Sequence, residues 1–126
     1  MHAADLFAGV AVRDFDRAVA WYERLLGEPA SFAATDTELV WSVAEHGWIY
    51  VELRPDRAGQ AMVTLFLDDL DDFVESASAR GIDPDTRETY DNGVRKMIYR
   101  DPDGNEIGFG GGPVEDPDGQ SEDASV

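Results

Sequence analysis

Residues 99–110 read Tyr99-Arg100-Asp101-Pro102-Asp103-Gly104-Asn105-Glu106-Ile107-Gly108-Phe109-Gly110: the end of one strand, a tight reversal and a second strand. Asp-Pro-Asp-Gly-Asn carries each ingredient of such a reversal. Pro102 presets φ, Gly104 accepts a positive φ, and Asp103 and Asn105 are placed to hydrogen-bond their own backbone. Taken alone the stretch is a hairpin. What surrounds it decides the fold.

Upstream, the chain presents one order of elements twice. Leu6 to Arg13 alternates Phe7, Gly9 and Ala11 against Ala8, Val10 and Val12, the period of a strand. Asp14 stands at an N-cap position, and Phe15, Ala18, Val19, Tyr22, Leu25 and Leu26 follow as one apolar stripe at helical spacing. Gly27 and Pro29 close that helix. Short strands are expected near 31–34, 38–44 and 48–54, and Arg54-Pro55-Asp56-Arg57-Ala58-Gly59 reads as a connector. The second set opens with a strand at 61–67. Asp68-Asp69-Leu70-Asp71-Asp72 then starts a helix running to about Arg80. Strands near 86–90, 94–100 and 106–109 complete it, with Asp91-Asn92-Gly93 as a hairpin turn. Asp14-Phe15-Asp16 superposes on Asp69-Leu70-Asp71, and Gly27 falls near Gly81. The economical arrangement is an α+β fold of two βαβββ modules, about 5–54 and 60–112, in one domain over 1–112.

Length and composition agree with that arrangement. At 126 residues and 43% hydrophobic, the chain suffices for one domain with a sizeable core. It has no cysteine, which removes disulfides, thiolate metal sites and a cysteine nucleophile together. No apolar run approaches the roughly 20 residues that span a bilayer, and no signal-peptide pattern opens the chain. A soluble, cytoplasmic protein is expected. The formal charge of −17 makes nucleic acid and anionic membrane poor partners and favours a cationic small ligand. Lys96 is the only lysine. Residues 113–126 carry five acidic groups and no base, so they are expected not to fold.

With DFDRAVAWYERLLG early and DPDGNEIGFG late, the chain resembles the vicinal oxygen chelate superfamily. That superfamily groups glyoxalase-like enzymes, extradiol dioxygenases and bleomycin-resistance proteins. The resemblance covers roughly residues 5–112 and implies two βαβββ units whose strands form a cupped mixed sheet around a cavity, usually in a homodimer. Enzymes of this kind place His, Gln or Glu on the opening and closing strands of each module, where they converge on a divalent metal. Carried over residue by residue, those positions fall on Phe7, Met62 and Gly108, with Val51 or a neighbour as the fourth. None coordinates a hard cation. His2 lies near the terminus and His46 in a turn, and Glu52 with Glu106 supplies only two carboxylates, too few for a protein-built site. No metal and no other cofactor is expected.

Alternation then gives the lining of the expected cavity. Phe7 and Arg13 come from the first strand, Trp41 from the third, and Trp48, Tyr50 and Glu52 from the fourth. Met62, Thr64 and Phe66 come from the fifth and Gly108 from the last. Such a lining is apolar and aromatic with sparse polar handles, as small-molecule pockets are, and tryptophans suit a planar or cationic group. The same residues also suit a packed core. The leading expectation is a metal-independent small-molecule binding protein, closest in type to the bleomycin-resistance binders, taking a cationic or aromatic compound. Two alternatives stay open. One is an enzyme with an absent or unconventional metal site, using Glu52 as base and Tyr50 or Arg13 as electrostatic aid. The other is an interaction module whose cavity is packed. No catalytic residue is assigned.

Overall fold

Asp14 ends the first strand and begins the first helix in a single residue. Its backbone is extended, and its carboxylate accepts a hydrogen bond from the Arg17 amide at 3.2 Å. This capping satisfies a donor that the helix leaves unpaired. It separates β1 (Leu6–Val12) from α1 (Phe15–Leu26), which Gly27 closes in the left-handed region. In the computed structural model residues 1–114 are described. From residue 115 on, the acidic segment expected not to fold lies outside the described residues.

The rest of the first module is β2 (Phe32–Thr35), β3 (Glu38–Ala44) and β4 (Gly47–Leu53), and a single 3₁₀ turn at Pro55–Arg57 leads onward. The second module repeats the order as β5 (Met62–Leu67), α2 (Leu70–Ala79), β6 (Thr86–Thr89), β7 (Arg95–Arg100) and β8 (Glu106–Gly111). The strands form two four-stranded mixed sheets, β1-β4-β3-β2 and β5-β8-β7-β6. In each, the first strand of the module runs parallel to the last, and the other pairings are antiparallel. Two βαβββ modules are therefore present, and their strands form two sheets where one cupped sheet was expected.

Each sheet has two unlike faces because side chains alternate along a strand. Val10, Val12, Ile49 and Val51 turn one face inward and are buried with Ala18, Tyr22 and Leu25 of α1. Tyr99, Ile107 and Phe109 do the same in the second module, where Phe73 of α2 packs its ring 4.2 Å from that of Phe109. One continuous core joins both modules. The opposite faces carry the residues of the expected cavity except Trp41 and Arg13.

The turn at 101–105 holds the modules together. Asp101, not Asp103 or Asn105, makes the side-chain bonds to the turn's own backbone. Its Oδ1 accepts from the amides of Asp103 and Asn105, each at 2.9 Å. Asp103 instead accepts from the Arg13 amide and guanidinium, at 3.1 and 3.2 Å, across the module boundary. Asn105 is fully buried; it donates to the Ala11 carbonyl and accepts from the Ala61 amide, both at 2.9 Å. Gly104, at φ 94°, permits the reversal. Gly59, at φ 89°, brings the connector against the Asp103 carbonyl, where a Cβ would lie only 2.6 Å away.

Candidate functional site

The register of β1 on β4 sets Phe7 beside Trp48, Gly9 beside Tyr50 and Ala11 beside Glu52, all on the face turned away from α1. Phe7 and Trp48 stack with ring centroids 5.7 Å apart, and Phe32 of β2 meets Trp48 edge-on at 5.9 Å. The indole N–H of Trp48 is buried with no hydrogen-bond partner among the described residues. Tyr50 lies across Gly9, so a Cβ there would meet its ring at 2.5 Å. A groove of about 530 Å³ starts at this point. It is lined by Gly9, Ala11, Tyr50 and Glu52, by Arg54, Asp56 and Arg57 of the connector, and by Gln60 just after it.

In the sequence these connector residues read only as a link between modules. Arg54 and Arg57 on either side of Pro55-Asp56 are the one sign there that the link is also a wall. The groove holds two carboxylates and two guanidinium groups, so its lining is charge-balanced.

The second module presents an equivalent face. Met62 is beside Glu106, Thr64 beside Gly108 and Phe66 beside Gly110. Lys96 on β7 reaches over Gly108. A Cβ at Gly108 would lie 2.7 Å from Lys96 Cε, 3.6 Å from its Nζ and 3.4 Å from Thr64 Oγ1. Met62 and Phe66 are 79% and 66% exposed, which leaves this apolar strand open to contact.

Two expected residues are elsewhere. Trp41 pairs with Ile49 and not with Trp48, which puts it on the helix-facing side. It is fully buried, 6.1 Å from the Tyr22 ring, and its indole N–H donates to the Glu28 carbonyl at 3.0 Å. Arg13 lies past the end of β1, where alternation no longer applies, and its guanidinium is committed to Asp103. The other eight divide between the sheets: Phe7, Trp48, Tyr50 and Glu52 on the first, Met62, Thr64, Phe66 and Gly108 on the second.

The pairing also identifies the fourth metal position of the fold. As Phe7–Trp48 matches Met62–Glu106, the counterpart of Gly108 is Tyr50; Val51 points into the core. Phe7, Tyr50, Met62 and Gly108 do not fit a hard divalent cation, and an ammonium-bearing side chain occupies the space over Gly108. Among the described residues, no three His, Cys, Asp or Glu side chains are grouped to hold a metal. His46 lies in its turn between Asp5, at 3.1 Å, and Glu45, at 3.4 Å.

Beneath the face, the Tyr22 hydroxyl donates to Asp101 Oδ2 at 2.9 Å. Burial, and then the adjacent Asp101 carboxylate, holds the Tyr22 phenol far above its ordinary range. Tyr99 is raised by burial as well, partly offset by Arg87. Neither hydroxyl is on the open faces. They are structural groups.

Comparison with known proteins agrees with this geometry. A glyoxalase/bleomycin resistance protein from Catenulispora Acidiphila DSM 44928 is 50% identical, with a TM-score of 0.85 over 88% of this chain and 100% of that one. A lactoylglutathione lyase from Agrobacterium tumefaciens has a TM-score of 0.72 at 18% identity, over 88% and 95% of the two chains. A bleomycin-binding protein solved with bleomycin has a TM-score of 0.67 at 23% identity, over 88% and 98%. The last two likenesses are of fold alone. No curated protein matches. The model of the Glyoxalase/Bleomycin resistance protein/Dioxygenase superfamily matches residues 2–109, and the chain belongs to that superfamily.

Proposed function

We propose that this protein binds a small aromatic compound on its open sheet faces without a metal. The observation that carries the reading is the set Phe7, Tyr50, Met62 and Gly108 at the metal positions of the fold, beside the Phe7–Trp48–Phe32 cluster. A metal-dependent relative would need oxygen or nitrogen donors there. Aromatic rings at that place offer stacking surface. The bleomycin-binding protein shares the fold and lends support to binding as a use of it. Because the groove is charge-balanced, a cationic ligand is favoured only by the net charge of −17.

A homodimer is part of the proposal. Phe7, Phe32, Met62 and Phe66 are all exposed, and a second copy of the chain would cover them and enclose the ligand. The test is a fluorescence screen of planar aromatic compounds, cationic and neutral, with Trp48→Ala as control. A saturable change lost in the variant is expected; no response to any compound overturns the reading. Calorimetric titration with Ni²⁺, Zn²⁺ and Mn²⁺ is the companion measurement. Stoichiometric uptake of any of them would sink the metal-free assignment.

A further inference from the structure

The only lysine of the chain lies over the only one of the four metal positions that has no side chain. Gly108 and Lys96 are a matched pair in space: any Cβ at 108 would crowd Lys96 Cε, so the glycine leaves the room that the lysine fills. We infer that Lys96, with the Thr64 hydroxyl beside it, is an anion-accepting subsite, and that the ligand carries a carboxylate next to its aromatic ring. The inference rests on the small-molecule reading above and specifies the ligand's chemistry.

Three observations carry it. First, Lys96 forms no ion pair and no side-chain hydrogen bond among the described residues. Its cross-strand neighbour is Glu88, whose carboxylate accepts instead from the Tyr90 hydroxyl at 2.9 Å. Second, Arg100 pairs with Glu106 at 3.1 Å, which leaves Lys96 and Glu88 as the charges of this face without an ion pair among the described residues. Third, the subsite is a donor set. An ammonium and a hydroxyl converge above a glycine backbone, so a carboxylate can accept two charge-assisted or neutral hydrogen bonds without meeting a side chain from below. The net charge of −17 works against an anion, but ordinary ionic strength screens it beyond about 8–10 Å, so the donors at the site decide.

The experiment compares three probes of one shape: benzoate, benzyl alcohol and benzylammonium. Affinities are measured by ligand-observed NMR on the unmodified protein, and position by the ¹³C-dimethyl signal of Lys96 after reductive methylation, which keeps its charge. Benzoate is expected to bind about tenfold or more tightly than benzyl alcohol, the usual worth of a charge-assisted bond, and to shift the Lys96 signal saturably. Lys96→Gln should reduce benzoate to the affinity of benzyl alcohol while leaving benzyl alcohol unchanged, which also reports that the variant is folded. Gly108→Ala should weaken benzoate in the same direction by pushing the ammonium from its seat. Glu88→Gln should tighten it. Equal binding of benzoate and benzyl alcohol, or benzoate binding that survives Lys96→Gln, overturns the anion subsite and leaves the aromatic reading standing. Preference for benzylammonium overturns it as well. Failure of all three probes, together with a silent fluorescence screen, overturns both.

Discussion

Asn105 has no exposed surface, yet each of its side-chain polar atoms is engaged, with Ala11, Ala61 and Asp101. Replacing it leaves several buried groups without partners, a costlier change than losing one exposed bond. Asn105→Ala is expected to lose about 3 kcal/mol of stability, read as a lower urea midpoint at unchanged slope. Tyr22 is the neighbouring case. Its phenol stays protonated in the fold because burial and Asp101 raise its pKa, whereas an unfolded chain titrates near the ordinary value of 10.0. Above that value the unfolded state has lost the proton that the native state keeps, so stability falls as pH rises. The contribution is complete below about pH 10 and is lost as pH climbs from there toward the raised folded value. Tyr22→Phe should cost about 2 kcal/mol at neutral pH, the worth of a hydrogen bond to a charged group, and should flatten the alkaline limb of the stability curve. A limb as steep as that of the parent would show that another group is responsible.

At the level of elements, the two helices look alike in sequence and start differently. Asp14 caps α1, whereas Asp69, its counterpart before α2, makes no side-chain cap hydrogen bond. Asp14→Ala should therefore cost about 1 kcal/mol and Asp69→Ala almost nothing, measured as paired thermal melts. Equal losses would show that the acidic first turns act through the helix dipole and not through capping. The glycines of β8 differ in the same way. At Gly108 a Cβ meets the flexible end of Lys96, while at Gly111 it meets Leu70 Cβ at 2.7 Å where α2 lies on the strand. Gly111→Ala should destabilise by about 1–3 kcal/mol through overpacking. Gly108→Ala should cost markedly less while moving Lys96.

For the whole molecule, charge and the open faces set the behaviour. At −17 the folded chain repels itself, and added salt screens that repulsion. The melting temperature should rise by a few degrees between about 20 mM and about 0.5 M NaCl. A flat or falling response would mean that the ion pairs of Arg95 with Asp71 and Arg100 with Glu106 outweigh the net repulsion. The proposed dimer is tested at this scale too. Met62→Glu combined with Phe66→Glu should convert the sedimentation profile to that of a monomer and abolish any aromatic binding that needs both copies.

The sequence alone determined the order of elements, the duplication and which residues stand at Phe7, Met62 and Gly108. Those depend on local features: period-two and helical alternation, the Asp14 cap, the Asp-Pro-Asp-Gly-Asn reversal and the identities of Phe7, Met62 and Gly108. Which face each strand shows was also legible where the strand is regular, as for Trp48, Tyr50, Thr64 and Phe66. Only the tertiary structure decided the rest. Trp41 went to the core because β3 is held in register with Ile49 opposite, and register depends on a partner strand that alternation cannot identify. Arg13 was claimed by Asp103 from 90 residues away, and Lys96 reached the space over Gly108 from a neighbouring strand. Even the reversal that identifies the fold owes its main duty, joining the modules through Asn105, to contacts that exist only after the chain has closed.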